Sequence, residues 1–274
     1  MDMTVLNKKR LYQLSLLLSL VVGCVSVFFL YFVNYSLIAE AFVMYEGALQ
    51  VVLIISLRIA LLSIITLYLF NKWLKQEAQY LTDIPFLLGI FFFLLAFGKA
   101  IDIFWDLTFF TFSDALVLLL VKIRYFIIVF EVAPLIYLGF EIIFFRLEDR
   151  FTRLKDKRFM NTLRTRIIAV LLGVESITII IVPNITILGI VLPIILIPSL
   201  IGIVYIFYLA YRYNRLKMVK PKILTIGFLL YMISNILRPV MQNILGETAN
   251  FVIVTEFIDL CIFTVIFLGL YKKQ

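Results

Sequence analysis

FLLGIFFFLLAFGKAIDIFW, residues 86–105, is a run of twenty residues whose only charges are Lys99 and Asp102. At 1.5 Å rise per residue, a helix of that length covers about 30 Å, the thickness of the hydrocarbon core of a bilayer. The two charges stand three residues apart and share one helical face. The stretch therefore predicts a membrane span, over 84–105, with a polar stripe that has to find partners.

Seven further stretches meet the same length test, some with short ends: 12–33, 47–70, 114–146, 167–183, 187–210, 223–242 and 251–270. The expected fold is all-α, a polytopic transmembrane helix bundle of about eight spans. Composition agrees: 64% of the 274 residues are hydrophobic, 15% are charged, and the mean hydropathy is +1.11. A soluble domain carries charge on about a quarter of its residues, so the surplus apolar surface needs lipid as its solvent.

The first stretch follows Lys8, Lys9 and Arg10, as in a secretory leader. Its apolar part, residues 14–33, exceeds the leader's usual apolar core of about 7–15 residues. A retained signal-anchor is expected, giving residues 1–46 as anchor span plus outside connection and 47–274 as a seven-helix bundle.

Twenty of the 25 lysines and arginines fall at the N-terminus, in the connections around 71–83, 146–166 and 211–222, or in the tail at Lys272 and Lys273. The intervening connections 34–46, 106–113, 184–186 and 243–250 hold none. By the positive-inside rule both termini are cytoplasmic, and a cell-membrane location is expected. In a soluble chain the net charge of +8 would raise nucleic acid as a partner. Here the basic residues flank apolar runs, so anionic lipids at the cytoplasmic face are the expected partners, with no nucleic acid.

The chemistry is bounded by what is missing. Histidine is absent, which excludes histidine-ligated haem or zinc, Ser-His triads and a histidine phosphoacceptor. Cys24 and Cys261 each sit within an apolar run and read as small hydrophobes. There is no phosphate loop, CxxC, HExxH or aspartate-rich metal motif. No cofactor or metal is expected, and a membrane enzyme stays open without a motif that names one.

The remaining five basic residues, Arg58, Lys99, Lys122, Arg124 and Arg238, lie inside spans, as do Asp102, Glu131, Glu141, Glu175, Glu256 and Asp259. A charge at the membrane centre costs about 2.5–3.5 kcal/mol on insertion scales, so each needs a partner, water or a function. Lys99, Asp102 and Asp106 share a face, as do Arg124 and Glu131; Asn235, Arg238 and Gln242 form a stripe, and Glu256 and Asp259 another. The candidate ligand or ion site is therefore Lys99, Asp102, Arg124, Glu131, Glu175, Arg238, Glu256 and Asp259. The plainer reading, structural ion pairs locking helices together, stands beside it. Asn34 and Asn184 begin N-x-[ST] sequences on expected outside connections and are glycosylation candidates, with bare asparagine as the alternative.

Three stretches carry a family resemblance: FFFLLAFGKAIDIFW (91–105), KIRYFIIVFEVAPLIYLGF (122–140) with its mid-helix Pro134, and YRYNRLKMVKPKILTIGFLLYMISNIL (211–237). They resemble the seven-helix sensor region that precedes the kinase in many archaeal and bacterial histidine kinases, over roughly residues 47–271. The chain departs from that pattern by an added first span and by the lack of a kinase or other output domain in its 274 residues. The resemblance implies a sensor-like or receptor-like module whose output passes through a partner protein, and it transfers no catalytic residues. A transporter or channel subunit, or a structural accessory subunit of a larger membrane complex, are the rival expectations.

The orientation is directly testable. A cysteine introduced at position 155 should resist an impermeant thiol label in intact cells, while cysteines in 34–46 and 243–250 should react. Labelling at 155 would invert the map.

Overall fold

The computed structural model describes residues 3–108, 114–148, 150–213, 216, 218–246 and 248–271. Arg215, Lys217, Lys272 and Lys273, four of the basic residues used above for orientation, lie outside the described residues. Every regular element among the described residues is helical. In chain order these are α1 (Met3–Val33), α2 (Tyr35–Met44), α3 (Ala48–Leu74), α4 (Ile84–Thr108), α5 (Asp114–Leu147), α6 (Lys157–Ile181), α7 (Ile185–Arg212), α8 (Pro221–Leu245) and α9 (Ala249–Leu270). A 3-10 turn, Thr152–Lys155, precedes α6. Six helices are long and apolar enough to cross a membrane, over Arg10–Val33, Ala48–Leu74, Ile84–Leu107, Ile185–Arg212, Pro221–Gln242 and Ala249–Leu270. The other two long helices, α5 and α6, also cover expected spans and carry several charges each.

Local chemistry sets the boundaries. Asp156, Asn184 and Thr248 cap α6, α7 and α9, their side-chain oxygens accepting from the backbone N–H of Arg158, Ile187 and Phe251. Pro221 opens α8, where its missing N–H costs nothing. Two boundaries differ from the sequence reading. The connection 34–46 contains α2, a helix too short to cross a bilayer and so invisible to a twenty-residue test. Gly47, at φ +89°, then supplies the left-handed turn into α3. Arg164 and Arg166, counted with a loop, lie within α6, and Arg164 is buried against α5.

The helices close into a ring. α3 packs on α4, α4 on α5, α5 on α7, α7 on α8, α8 on α9, and α9 returns to α3. α6 packs outside this ring on α5, and α1 and α2 pack outside it on α4. The ring encloses an apolar core of Leu62, Ile65 and Leu69 from α3, Phe91, Phe92 and Leu95 from α4, Ile203 and Phe207 from α7, Phe228 from α8 and Phe263 and Ile266 from α9. α1 turns Leu14, Leu17, Phe28 and Phe32 outward, a surface suited to lipid rather than water.

Close approach of α8 and α9 depends on a missing side chain. A Cβ on Gly227 would lie 2.5 Å from Ile266 Cγ1 and 3.4 Å from its Cα. Small residues at such crossings let backbones meet where no hydrophobic force drives helices together. Gly227→Val should therefore lower stability by about 1–3 kcal/mol through overpacking. Gly202→Val, at a position whose Cβ would meet nothing within 4 Å, is the control for backbone effects. Equal losses in thermal unfolding in detergent would refute the role given to Gly227.

Candidate functional site

Arg58 is alone among apolar neighbours on α3 and only 1% exposed. Its Nη1 donates to Glu256 Oε2 at 2.6 Å and to Asp259 Oδ2 at 2.7 Å, both on α9. Its guanidinium also lies 4.9 Å from the centre of the Phe263 ring, one turn further along α9. From α4, Lys99 Nζ donates to Glu256 Oε1 at 2.8 Å and meets Asp102 Oδ2 at 2.9 Å. From α8, Arg238 Nη2 donates to Glu256 Oε1 at 3.1 Å and Asp259 Oδ2 at 3.0 Å. Ser234 completes the set by donating to Asp259 Oδ1 at 2.7 Å.

A second arm runs from α4 to α5. Arg124 Nε donates to Asp102 Oδ1 at 2.6 Å and its Nη2 to Oδ2 at 3.3 Å, a two-point contact with one carboxylate. The guanidinium lies over Gly98, where a Cβ would come within 2.5 Å of Nη1. Seven residues, about two turns, further along α5, Glu131 places Oε2 at 3.7 Å from Arg124 Nη1, too far for a hydrogen bond. Both of those atoms, like Arg58 Nε, are buried and make no hydrogen bond among the described residues.

These groups border a cavity of about 370 Å³ inside the ring. It reaches from Phe91 and Phe228 in the core to Asp106, Ile185, Gln242 and Phe251, at the end where α4 and α8 finish and α7 and α9 begin. A volume of this order suits a small molecule. No cluster of three or more metal-ligating side chains occurs among the described residues.

Seven of the eight candidates from the sequence, Lys99, Asp102, Arg124, Glu131, Arg238, Glu256 and Asp259, meet in this network. Glu175 does not. It lies on α6, outside the ring, partly buried and without an ion pair among the described residues. Glu141 pairs instead with Arg164 at 3.2 Å, beside Tyr137 and Asn161, locking α5 to α6. Lys122 donates to the Ile180 carbonyl at 2.9 Å, satisfying the C-terminal end of α6. The two glycosylation candidates are occupied locally: Asn34 Nδ2 donates to the Leu30 carbonyl at 2.8 Å, and Asn184 Oδ1 caps α7.

Arg58 is the residue that stripe reasoning missed. It has no polar neighbour at three or four residues' spacing, so no face identified it. The available signal was the cost of a lone cation in a helix of 27 residues that is otherwise uncharged through its middle.

No family model, no curated protein and no solved structure matches this chain.

The geometry ranks the two arginines on α9's carboxylates. Without Arg238, Glu256 keeps Arg58 and Lys99, and Asp259 keeps Arg58 and Ser234. The Arg238 side chain is also 30% exposed, against 1% for Arg58. Arg58→Met should cost about 3–5 kcal/mol, the range for breaking a buried pair on one side. Arg238→Met should cost less than half as much. Thermal unfolding of the two variants side by side checks this, and equal losses would refute the ranking.

Proposed function

We propose that the chain is a receptor-like membrane module whose seven-helix unit, α3–α9, binds a small polar molecule within the ring and passes the signal to a partner protein. One observation carries this reading: the charged network borders a cavity and leaves Glu131 Oε2 and Arg124 Nη1, both buried, without hydrogen-bond partners among the described residues. Structural ion pairs gain most when every donor and acceptor is used. Unused groups facing a space are what a ligand-binding wall provides.

The accompanying orientation has eight spans, both termini in the cytoplasm and the cavity's Asp106 end facing outward, in the plasma membrane. It rests on the distribution of lysine and arginine. The basic connections would then meet anionic lipid headgroups on the inner face. Of the three sequence stretches that resemble histidine-kinase sensor regions, 91–105 lies on α4, 122–140 on α5 and 221–237, the greater part of the third, on α8; all three helices border the cavity, and this supports the sensing role.

Short contacts of 2.6–2.7 Å from Arg58 favour a second, structural reading for that part of the network. The two readings divide along residue lines. Arg58, Glu256 and Asp259 hold α3, α8 and α9 together, while Glu131 and Arg124 are the ligand-facing members.

Glu131→Gln separates them, because Glu131 has a single ion-pair contact among the described residues, at 3.7 Å. The variant should unfold within about 1 kcal/mol of the parent, as expected for a weakly coupled charge. It should also lose the rise in melting temperature that a bound small polar compound gives the parent in a screen of cations, anions and zwitterions. If Glu131→Gln destabilises as much as Arg58→Met and no compound stabilises the parent, the network is structural throughout.

A further inference from the structure

We infer that the cavity takes a small organic cation, a protonated amine with an apolar or aromatic body, whose ammonium group sits against Asp106. The inference rests on the cavity being a ligand site and names the class of ligand it selects.

The first argument is the state of the charges. All four basic side chains of the network, Arg58, Lys99, Arg124 and Arg238, already hold carboxylates at 2.6–3.1 Å. An incoming anion would bring a further negative charge into a low-dielectric interior whose cations are already neutralised by carboxylates. The acids are five: Asp102, Glu131, Glu256 and Asp259 in the network, and Asp106 on the cavity wall. Asp106 makes no ion pair among the described residues and is only partly buried. Asp106 is thus the acid of the five with no basic partner among the described residues, and a cation bound there displaces nothing.

The second argument is the lining. Trp105, Tyr125 and Phe251 border the same cavity as Asp106, and Phe91, Phe228 and Tyr231 line the rest. Aromatic faces attract a desolvated ammonium, by about 2 kcal/mol or more in buried sites, and also accept an apolar body. Neither a bare anion nor a strongly hydrated metal ion uses such a wall. The cavity, at about 370 Å³, is far larger than a metal ion and gathers no set of three metal ligands among the described residues.

Location supports the same residue. Asp106 stands four residues beyond Asp102, about 6 Å further along α4 by helical rise, towards the end of the bundle. A ligand entering from that end meets Asp106 before it meets the paired network.

The test uses the full chain purified in detergent, with 2-phenylethylamine, protonated at neutral pH, as the probe. Its neutral and anionic counterparts, 2-phenylethanol and phenylacetate, keep the ring and change the charge. The amine should raise the melting temperature in a saturable way, and the alcohol and the carboxylate should not. Asp106→Asn should unfold like the parent without ligand, since no ion pair is lost, and should weaken the amine's half-maximal concentration about tenfold or more, the loss of one charge-assisted contact. Asp106→Glu should retain the response. A larger effect from phenylacetate or 2-phenylethanol overturns the cationic class while leaving a ligand cavity in place. An equal amine response in Asp106→Asn overturns the assignment of the residue. If Asp106→Asn fails to fold, the comparison of the three probes on the parent still decides the class. No response to the amine sinks the inference, whereas the cavity reading is judged separately by Glu131→Gln and the wider screen.

Discussion

Arg58, in the middle of α3, is 1% exposed and stands on a helix apolar enough to cross a membrane. Its charge is tolerable only if carboxylates come to it, and they come from α9. That requirement brings the first and last helices of the ring side by side, which is what closes the ring. The pairing also sets direction. Position 58 meets 256 and 259, and Tyr68 meets Phe267 and Tyr271, so α3 and α9 run parallel. Neighbours in sequence, by contrast, pair antiparallel through short connections. A bundle of hairpins would not specify this closure through its apolar surfaces alone, because Leu, Ile and Phe pack equally well in many registers. The buried ion pairs have one satisfactory arrangement, and the surrounding Leu62, Ile262 and Phe263 fill in around it.

Closure in turn creates the cavity. Six helices in a ring leave space at their centre unless side chains fill it, and in the half near Phe91, Phe228 and Phe263 they do. Towards Asp106 the walls are charged or aromatic, and polar groups cannot collapse together without leaving some unsatisfied. The space therefore persists for a physical reason. Rigid closure on one side of the network and unused polar atoms on the other would suit the receptor-like role proposed above.

The helices themselves are legible in the sequence, since twenty-residue apolar stretches have one solution in lipid. Each of the eight expected stretches falls on a helix, apart from Gly47 before α3 and Val182 and Pro183 after α6, and the caps at Asp156, Asn184 and Thr248 could be read from residue type. The stripes Lys99–Asp102 and Glu256–Asp259 likewise followed from spacing, because charges on one face of a membrane helix must point inward. Three things were not legible. α2 is too short to register by length, Arg58 has no polar neighbours to define a face, and the peripheral place of α6 depends on packing that one sequence does not encode locally. Glu175 shows the consequence: an intramembrane acid joins the central site only if its helix joins the ring, and residue type carries no information about that.

The span of chain between Arg58 and its acids has a consequence for how the protein is made. Glu256 lies 198 residues after Arg58. At elongation rates of about 5–20 residues per second, the ribosome delivers α9 roughly 10–40 s after α3 has been synthesised. Throughout that interval the arginine is a cation without its counter-charges, in a helix otherwise ready for release into lipid. Biogenesis must shelter α3, beside the insertion machinery or against the emerging α4, until the last helix arrives. A nascent chain halted short of α9 would present an orphan charge within the membrane, the kind of mark by which quality control can tell an unfinished protein from a finished one.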